Sequence, residues 1–339
     1  MSMPEPRGTI GRRRLGLGTL LAAVAAASGG MPHAAFASAA TYPDRPIRII
    51  NPFPAGSPVD FVGRLIAEKL RTTWDQPVVV ESRSGAGGTI GTAYVAKAAP
   101  DGHTLLVATP SVLTTAPALF RSLPYDPVKD LVPLWLIVSG GLVMVVAPSV
   151  PARTLEEFLR HARANPGRVS YASAGPGSPQ HLAAELFMAR SGVRLEHVPY
   201  QGAVPALRDV MAGHVEVMFD NVTNILPQLG AGRLRALGIL RAQRNPALPE
   251  VPTMAEAGLA GVEVPGGIGF FAPAGTPADI VRKLSDTIAA VAAEPETRAR
   301  LIEAGNRDEV LTGVGLQRQL AEERAFFAKV VRRAGIDPQ

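Results

Sequence analysis

IRIINPFPAGSPVDF, residues 47–61, and VSYASAGPGSPQHL, residues 169–182, share one layout. In each, a short apolar strand runs into a Pro/Gly-rich loop, and a Gly-Ser-Pro triplet places a serine, Ser57 or Ser178, just before a helix. The two units lie about 120 residues apart, one in each half of the chain. Alternation of strand and amphipathic helix specifies an α/β fold with mostly parallel sheets. Its duplication predicts two similar lobes, with a cleft between the carboxyl ends of their strands, where open α/β sheets bind ligands.

The pattern continues outward from these units. Strands are expected at 78–81, 103–108, 194–197, 215–219 and 234–240, and helices at 61–73, 90–98, 155–164, 180–191 and 204–211. The end is helical over 277–293, 295–304 and 315–334. Residues 131–152 carry no charge, but Pro133, Pro148, Pro151 and Ser139-Gly140-Gly141 interrupt them, so they read as two buried strands (134–138 and 142–147) around a Gly turn and not as a membrane span. The C-terminal helices are expected to return to the first lobe. This gives a first lobe of 41–148 and 265–339, a second lobe of 149–264, and two crossings that act as a hinge.

Residues 1–40 read as an export signal. Arg12-Arg13-Arg14 precede an uncharged, alanine-rich stretch from Leu15, and Ala-x-Ala triplets follow at 35–39. The adjacent arginines suggest the twin-arginine route. Of the formal charge of +5, from 34 Lys+Arg and 29 Asp+Glu, this segment holds +3 (four Arg less Glu5), leaving about +2 for the remainder. With 5% aromatic residues and no basic run after Arg14, nucleic-acid binding has no footing. The absence of cysteine excludes disulfides, thiolate metal sites and cysteine nucleophiles.

No nucleophile elbow, zinc-protease motif or phosphate loop occurs, and no two histidines share metal-ligand spacing on one helix. No cofactor, metal or catalytic residue is expected. Gly267-Ile-Gly269-Phe-Phe-Ala272 fits a dinucleotide fingerprint in letters only; Pro273 stands where a helix should open, and a tight turn is the plainer reading. The positive signal concerns anions: a helix N-terminus offers unpaired N–H groups and partial positive charge, and glycine admits a ligand close to the backbone. Ser57-Pro-Val-Asp60 also fits a capping box with Asp in the Glu position. N–H groups at Gly56–Ser57 and Gly177–Ser178, helped by both hydroxyls, are expected to hold a carboxylate. No arginine lies inside these loops. Ser178 with His181 could instead form a nucleophile–base pair of a hydrolase, although no third, acidic partner is evident.

From Tyr42 onward the chain resembles the Bug proteins, periplasmic solute receptors of the tripartite tricarboxylate transporter group. The resemblance rests on YPDRPIRIINPFPAG (42–56), QPVVVE (76–81), GAGGTIG (85–91), PDGHTLL (100–106), LPYDP (123–127), YASAGPGSPQHLAAELF (171–187), HVPYQG (197–202), PEVPTMAEAG (249–258) and APAGTP (272–277). It implies a type II periplasmic binding fold, two lobes with mixed sheets, an interlobe cleft for small carboxylates and no enzymatic role. Carried across, it implies a first-lobe wall of Phe53, Ala55, Gly56, Ser57 and Asp60, with Thr109 and Ser111 beside it. The second-lobe anion site would be Gly177, Ser178 and His181, with Gln201, Gly202 and Asp220 toward the far end. Asp220, facing the cleft, would favour a ligand that also carries an amine. The implied partners are a carboxylate and transporter membrane subunits, or alternatively a periplasmic sensor domain; a monomer is expected. The family pattern is broken by Ala55, Ser57, Ala116, Gln201 (usually Lys) and Gly267 (usually Trp), changes that point to a different or bulkier ligand.

Overall fold

A computed structural model describes residues 42–333, 335, 336 and 338. The export-signal reading of residues 1–40 lies outside the described residues. Eleven strands are described: β1 (Ile47–Asn51), β2 (Val78–Ser82), β3 (Thr104–Ala108), β4 (Leu131–Ser139), β5 (Leu142–Val146), β6 (Ser170–Ser173), β7 (Glu196–Pro199), β8 (Val217–Asn221), β9 (Arg235–Ile239), β10 (Gly267–Pro273) and β11 (Asn306–Thr312). The helices are α1 (Pro58–Trp74), α2 (Thr89–Ala96), the single turns α3 (Ser111–Thr114) and α4 (Ala116–Leu119), α5 (Leu155–Ala164), α6 (Pro179–Ser191), α7 (Ala203–Met211), α8 (Val222–Gly230), α9 (Ala278–Ala293), α10 (Pro295–Glu303) and α11 (Gly313–Arg333).

Two sheets form, ordered β11-β4-β10-β3-β1-β2 and β7-β6-β8-β5-β9. Pairing is parallel across β2-β1-β3 and β7-β6-β8, and antiparallel elsewhere. The sheets are therefore mixed, as the family resemblance implies, and not mostly parallel. The strand–helix units alone set the parallel expectation; β4, β5, β9, β10 and β11 close each sheet antiparallel.

The crossings differ from expectation. Leu134–Val138 and Leu142–Ala147 were expected in one lobe, yet β4 pairs with β10 and β11 whereas β5 pairs with β8 and β9. The chain changes sheet at Gly140–Gly141, ahead of residue 148. Both strands are almost wholly buried, so neither has an alternating face that could betray its sheet. The chain returns between Val264, in the second-sheet core, and Gly267 in β10. Gly267 and Gly269 are not turn residues: an added Cβ would stand 2.5 Å from the Ile137 carbonyl and 2.8 Å from that of Trp135. These glycines let β10 lie against β4.

One core surrounds the second sheet, built on Phe158, Tyr171, Phe187 and Phe219. Two others cover the faces of the first sheet, one under α1 and α9, the other including Leu106, Val112, Phe271 and Leu316. Helix α11 does not simply return to the first lobe. Leu316 and Leu320 sit in a first-sheet core, while Phe327, Val330 and Val331 sit in the second-sheet core.

Candidate functional site

The two opening motifs form the same device. Ser57 caps α1 and Ser178 caps α6, each in extended conformation with a Pro at the first helical position. The serine Oγ accepts the N–H three residues on, from Asp60 and from His181, both at 3.3 Å. The third-position side chain then reaches back past the cap to the preceding glycine: Asp60 Oδ2 accepts from Gly56 N–H at 3.0 Å, and His181 Nδ1 accepts from Gly177 N–H at 2.8 Å. Both glycines have positive φ, +80° and +74°, a conformation glycine adopts freely. A carboxylate in one lobe and an imidazole in the other thus do one job.

This accounting corrects the expected donors. The N–H groups of Gly56 and Gly177 serve Asp60 and His181, while those of Ser57 and Ser178 bond the carbonyls of Pro54 and Gly175. None of the four points outward to a ligand. Proline removes the first helical N–H, and the serine takes the third. The second, on Val59 and Gln180, has no acceptor among the described residues. Each loop therefore offers one helix N–H and one hydroxyl proton.

Both loops open on a cavity of about 1130 Å³ between the sheets. Of the residues expected in the site, Phe53, Gly56, Ser57, Thr109, Ser111, Gly177, Ser178 and Gln201 line it. Thr109 Oγ1 and Ser111 Oγ are 2.7 Å apart. Five expected residues do not. Ala55 is exposed at the loop tip, and Gly202, the α7 cap, lies outside the lining. Asp60 is buried behind its loop, held by Gly56, Arg64 at 2.9 Å and Asn51 at 3.4 Å. Burial opposes ionisation there, but these donors hold the Asp60 carboxyl below the usual range. His181 lies beneath the second loop, stacked on His197 with ring centroids 4.2 Å apart, and His197 stacks on Tyr171 at 4.8 Å. Burial, then the neighbouring His181, lowers the pKa of His197 to about 4.

Asp220 is fully buried and does not face the cleft. Its carboxylate accepts from Gln180 Nε2 at 3.0 Å, Asn221 N at 2.8 Å and Asn224 Nδ2 at 3.1 Å. Burial pushes its pKa up against the pull of those donors.

Sequence reasoning missed the other wall residues. Gln180, Asn221, Thr223 and Asn224 come from α6 and the β8–α8 junction, and Pro227 inside α8 hid that helix. Ala86 and Gly87 belong to a 3-10 turn between β2 and α2. Arg300 on α10 lines the cavity beside Phe61, 5.8 Å from that ring's centroid, so one exposed arginine does reach the rim. Arg83 instead stacks on Tyr94 and pairs with Glu81. Gly267 lines the cavity but leaves no hole where the family usually carries Trp, because an added Cβ would also meet Leu136 Cδ2 at 2.7 Å.

The hydrolase alternative finds no geometry. Ser178 Oγ meets the backbone of His181, not its ring; Nδ1 holds Gly177 N–H, and Nε2 faces Glu185 Oε1 at 3.6 Å. Among the described residues no group of three or more His, Cys, Asp or Glu could hold a metal, and no helix is long and apolar enough to cross a membrane.

Known proteins share this chain's sequence pattern and fold. Residues 62–331 match the family model of the tripartite tricarboxylate transporter family receptor. Protein BugT of Bordetella pertussis is 37% identical over 303 residues, covering 89% of this chain and 93% of BugT. A Rhodopseudomonas palustris structure with adipate is 35% identical at a TM-score of 0.80, covering 88% of this chain and all of that one. MatC of the same organism, solved with bound malate, is 35% identical at 0.76, covering 86% of this chain and all of its own. By fold and sequence, the chain belongs to the tripartite tricarboxylate transporter family of periplasmic solute-binding receptors.

Proposed function

We propose that this protein captures a small organic acid in the cavity between its two sheets and presents it, from the periplasm, to the membrane subunits of a tripartite tricarboxylate-type transporter. The observation that carries this reading is the pair of matched helix caps opening on one cavity, each with a free hydroxyl proton and an unpaired N–H at the positive end of a helix. That is a charge-neutral way of receiving a carboxylate: hydrogen bonds to an ionised acceptor are about twice as strong as neutral ones. The adipate and malate in two relatives at 35% identity support the same class. The site residues are Phe53, Ser57, Val59, Thr109, Ser111, Ser178, Gln180 and Gln201, with Gly56 and Gly177 shaping the loops. Asp60 and His181 tether those loops and do not contact the ligand. Binding carries no chemistry, since Ser178 has no base.

Thermal-shift screening of the purified protein against organic acids, sugars and divalent metals tests the reading. Stabilisation confined to one or a few carboxylates is the expected result, because a ligand that binds only the folded state raises its stability by mass action. Shifts from sugars or metals with none from any acid would overturn it.

A further inference from the structure

We propose that Leu119 is a specificity-determining residue: it carries the first-lobe wall onto Gly177 of the second-lobe loop, and so limits the bulk that an organic acid can bear beside the carboxylate held at the Ser178 cap. The inference rests on the carboxylate reading above and adds which acids fit.

The chain after β3 leaves the first sheet in the two single turns α3 and α4. Val112 and Leu113 of α3 are buried in a first-sheet core, and Tyr125 Oη donates to the Val112 carbonyl at 2.6 Å. In α4, Ala118 and Leu119 pack instead against the core of the second sheet. Leu119 lands on the loop glycine: a Cβ added to Gly177 would stand 2.5 Å from Leu119 Cδ1, 3.2 Å from Cδ2 and 3.3 Å from Cγ. Three leucine atoms crowd that point, so turning one methyl aside would not make room for a side chain there. Gly177 immediately precedes the α6 cap, where the Ser178 hydroxyl and the Gln180 N–H are the donors left for an acid. Leu119, Gly177 and Ser178 all line the cavity, and Leu119 is only half-buried, which leaves part of its side chain to meet what enters. A carboxylate seated on the Ser178 cap therefore has a branched, apolar neighbour that reaches the loop from the other lobe. That neighbour offers no hydrogen bond. It sets a steric limit, and a methyl group beside the carboxylate would have to displace it.

The test is calorimetric titration of the purified protein with plain acids and with derivatives methylated beside both carboxylates, so that either end carries the bulk. Succinate is paired with 2,2,3,3-tetramethylsuccinate and adipate with 2,2,5,5-tetramethyladipate; any other acid that stabilises the protein in the thermal-shift screen is paired in the same way. The parent protein is expected to bind the plain acid tenfold or more tighter than its methylated partner, since overpacking a well-filled site is costly. In Leu119→Ala that ratio should fall by fivefold or more, because the methyl groups gain the space the side chain gives up. Should that variant fail to fold, Leu119→Val, one methylene shorter, should lower the ratio in the same direction. A merely structural role for Leu119 would weaken plain and methylated acids alike and leave the ratio where it was. Equal binding of the paired acids by the parent protein, or a ratio unchanged in the variant, overturns this inference and leaves the carboxylate reading standing. No binding of any acid overturns both.

Discussion

The reach of His181 back to Gly177 gives the most exposed claim. His181→Phe keeps a flat ring for the stack on His197, 4.2 Å away, but removes the Nδ1 acceptor that takes Gly177 N–H at 2.8 Å. His181→Asn discards the ring and restores a short acceptor, the counterpart of Asp60 in the other lobe. A donor left unpaired in a partly buried loop costs about 1–3 kcal/mol. If about 1–2 kcal/mol of that is lost from the tethered loop, the binding-competent fraction falls by up to roughly 5–30-fold, and the apparent affinity falls with it. The assay is titration with the tightest acid from the screen, together with urea unfolding of each variant. The expected order of affinity is parent, then Asn, then Phe. A folded Phe variant binding within twofold of the parent, or an Asn variant no better than Phe, would refute the tether.

Three further outcomes follow from the geometry. Ser178→Ala should weaken acid binding about tenfold or more, by loss of a hydrogen bond to a charged acceptor worth about 1.5–3 kcal/mol; Arg300→Ala, at the exposed rim, should cost less, and the reverse order by calorimetry would move the anion site to α10. Burial raises the pKa of Glu323 to about 7, against the pull of Gln319 and then Arg241. The folded state therefore keeps a proton that the unfolded chain loses near the ordinary glutamate value, so stability from this group is intact below that value and lost as pH rises through about 7. Urea unfolding should show Glu323→Gln gaining on the parent by about 2 kcal/mol between pH 5 and 7, and a constant difference would contradict it. Gly267→Ala should lower the melting temperature by overpacking, about 1–3 kcal/mol, because its Cβ would stand 2.5 Å from the Ile137 carbonyl; an unchanged melting temperature would show that β10 has room to move.

Local signals were legible where local chemistry decides the outcome. Ser57 and Ser178 cap helices as read, and α5 spans Leu155–Ala164 as expected, because a capping serine and a 3.6-residue period act within a few turns. Sheet membership was not legible: β4 and β5 are apolar on both faces, and two such strands around a glycine pair read equally as a hairpin or a crossing. Nor could hydrogen-bond allocation be read. Whether the N–H of Gly177 meets a ligand or His181 depends on a rotamer four residues away. Asp220 sits in a strand expected near the cleft, and only the fold shows Gln180 standing in front of it.

The crossings show how the two sheets that border the cavity are held together. Gly140 is where the chain leaves the first sheet; its N–H bonds the Gly305 carbonyl at 3.0 Å, and an added Cβ would come within 2.1 Å of Asn245 Nδ2. Only glycine permits that approach of three segments. Arg241 then donates to the carbonyls of Ser139 at 3.0 Å and Val264 at 3.5 Å, one at each crossing. It thereby ties the outgoing and returning chains into one strap, with a guanidinium whose burial lowers its pKa. Helix α11 adds a third connection, with Leu316 and Leu320 on one core and Phe327 and Val330 on the other. Seated on both cores, this helix stiffens the joint between the two sheets. Glu323 lies on α11 between the two anchors, 3% exposed with one carboxylate oxygen unpaired. Phe327 reaches the cavity wall, while Leu316 and Leu320 pack with Val112 and Leu113 of α3, and Arg324 donates to the Leu113 carbonyl at 3.1 Å.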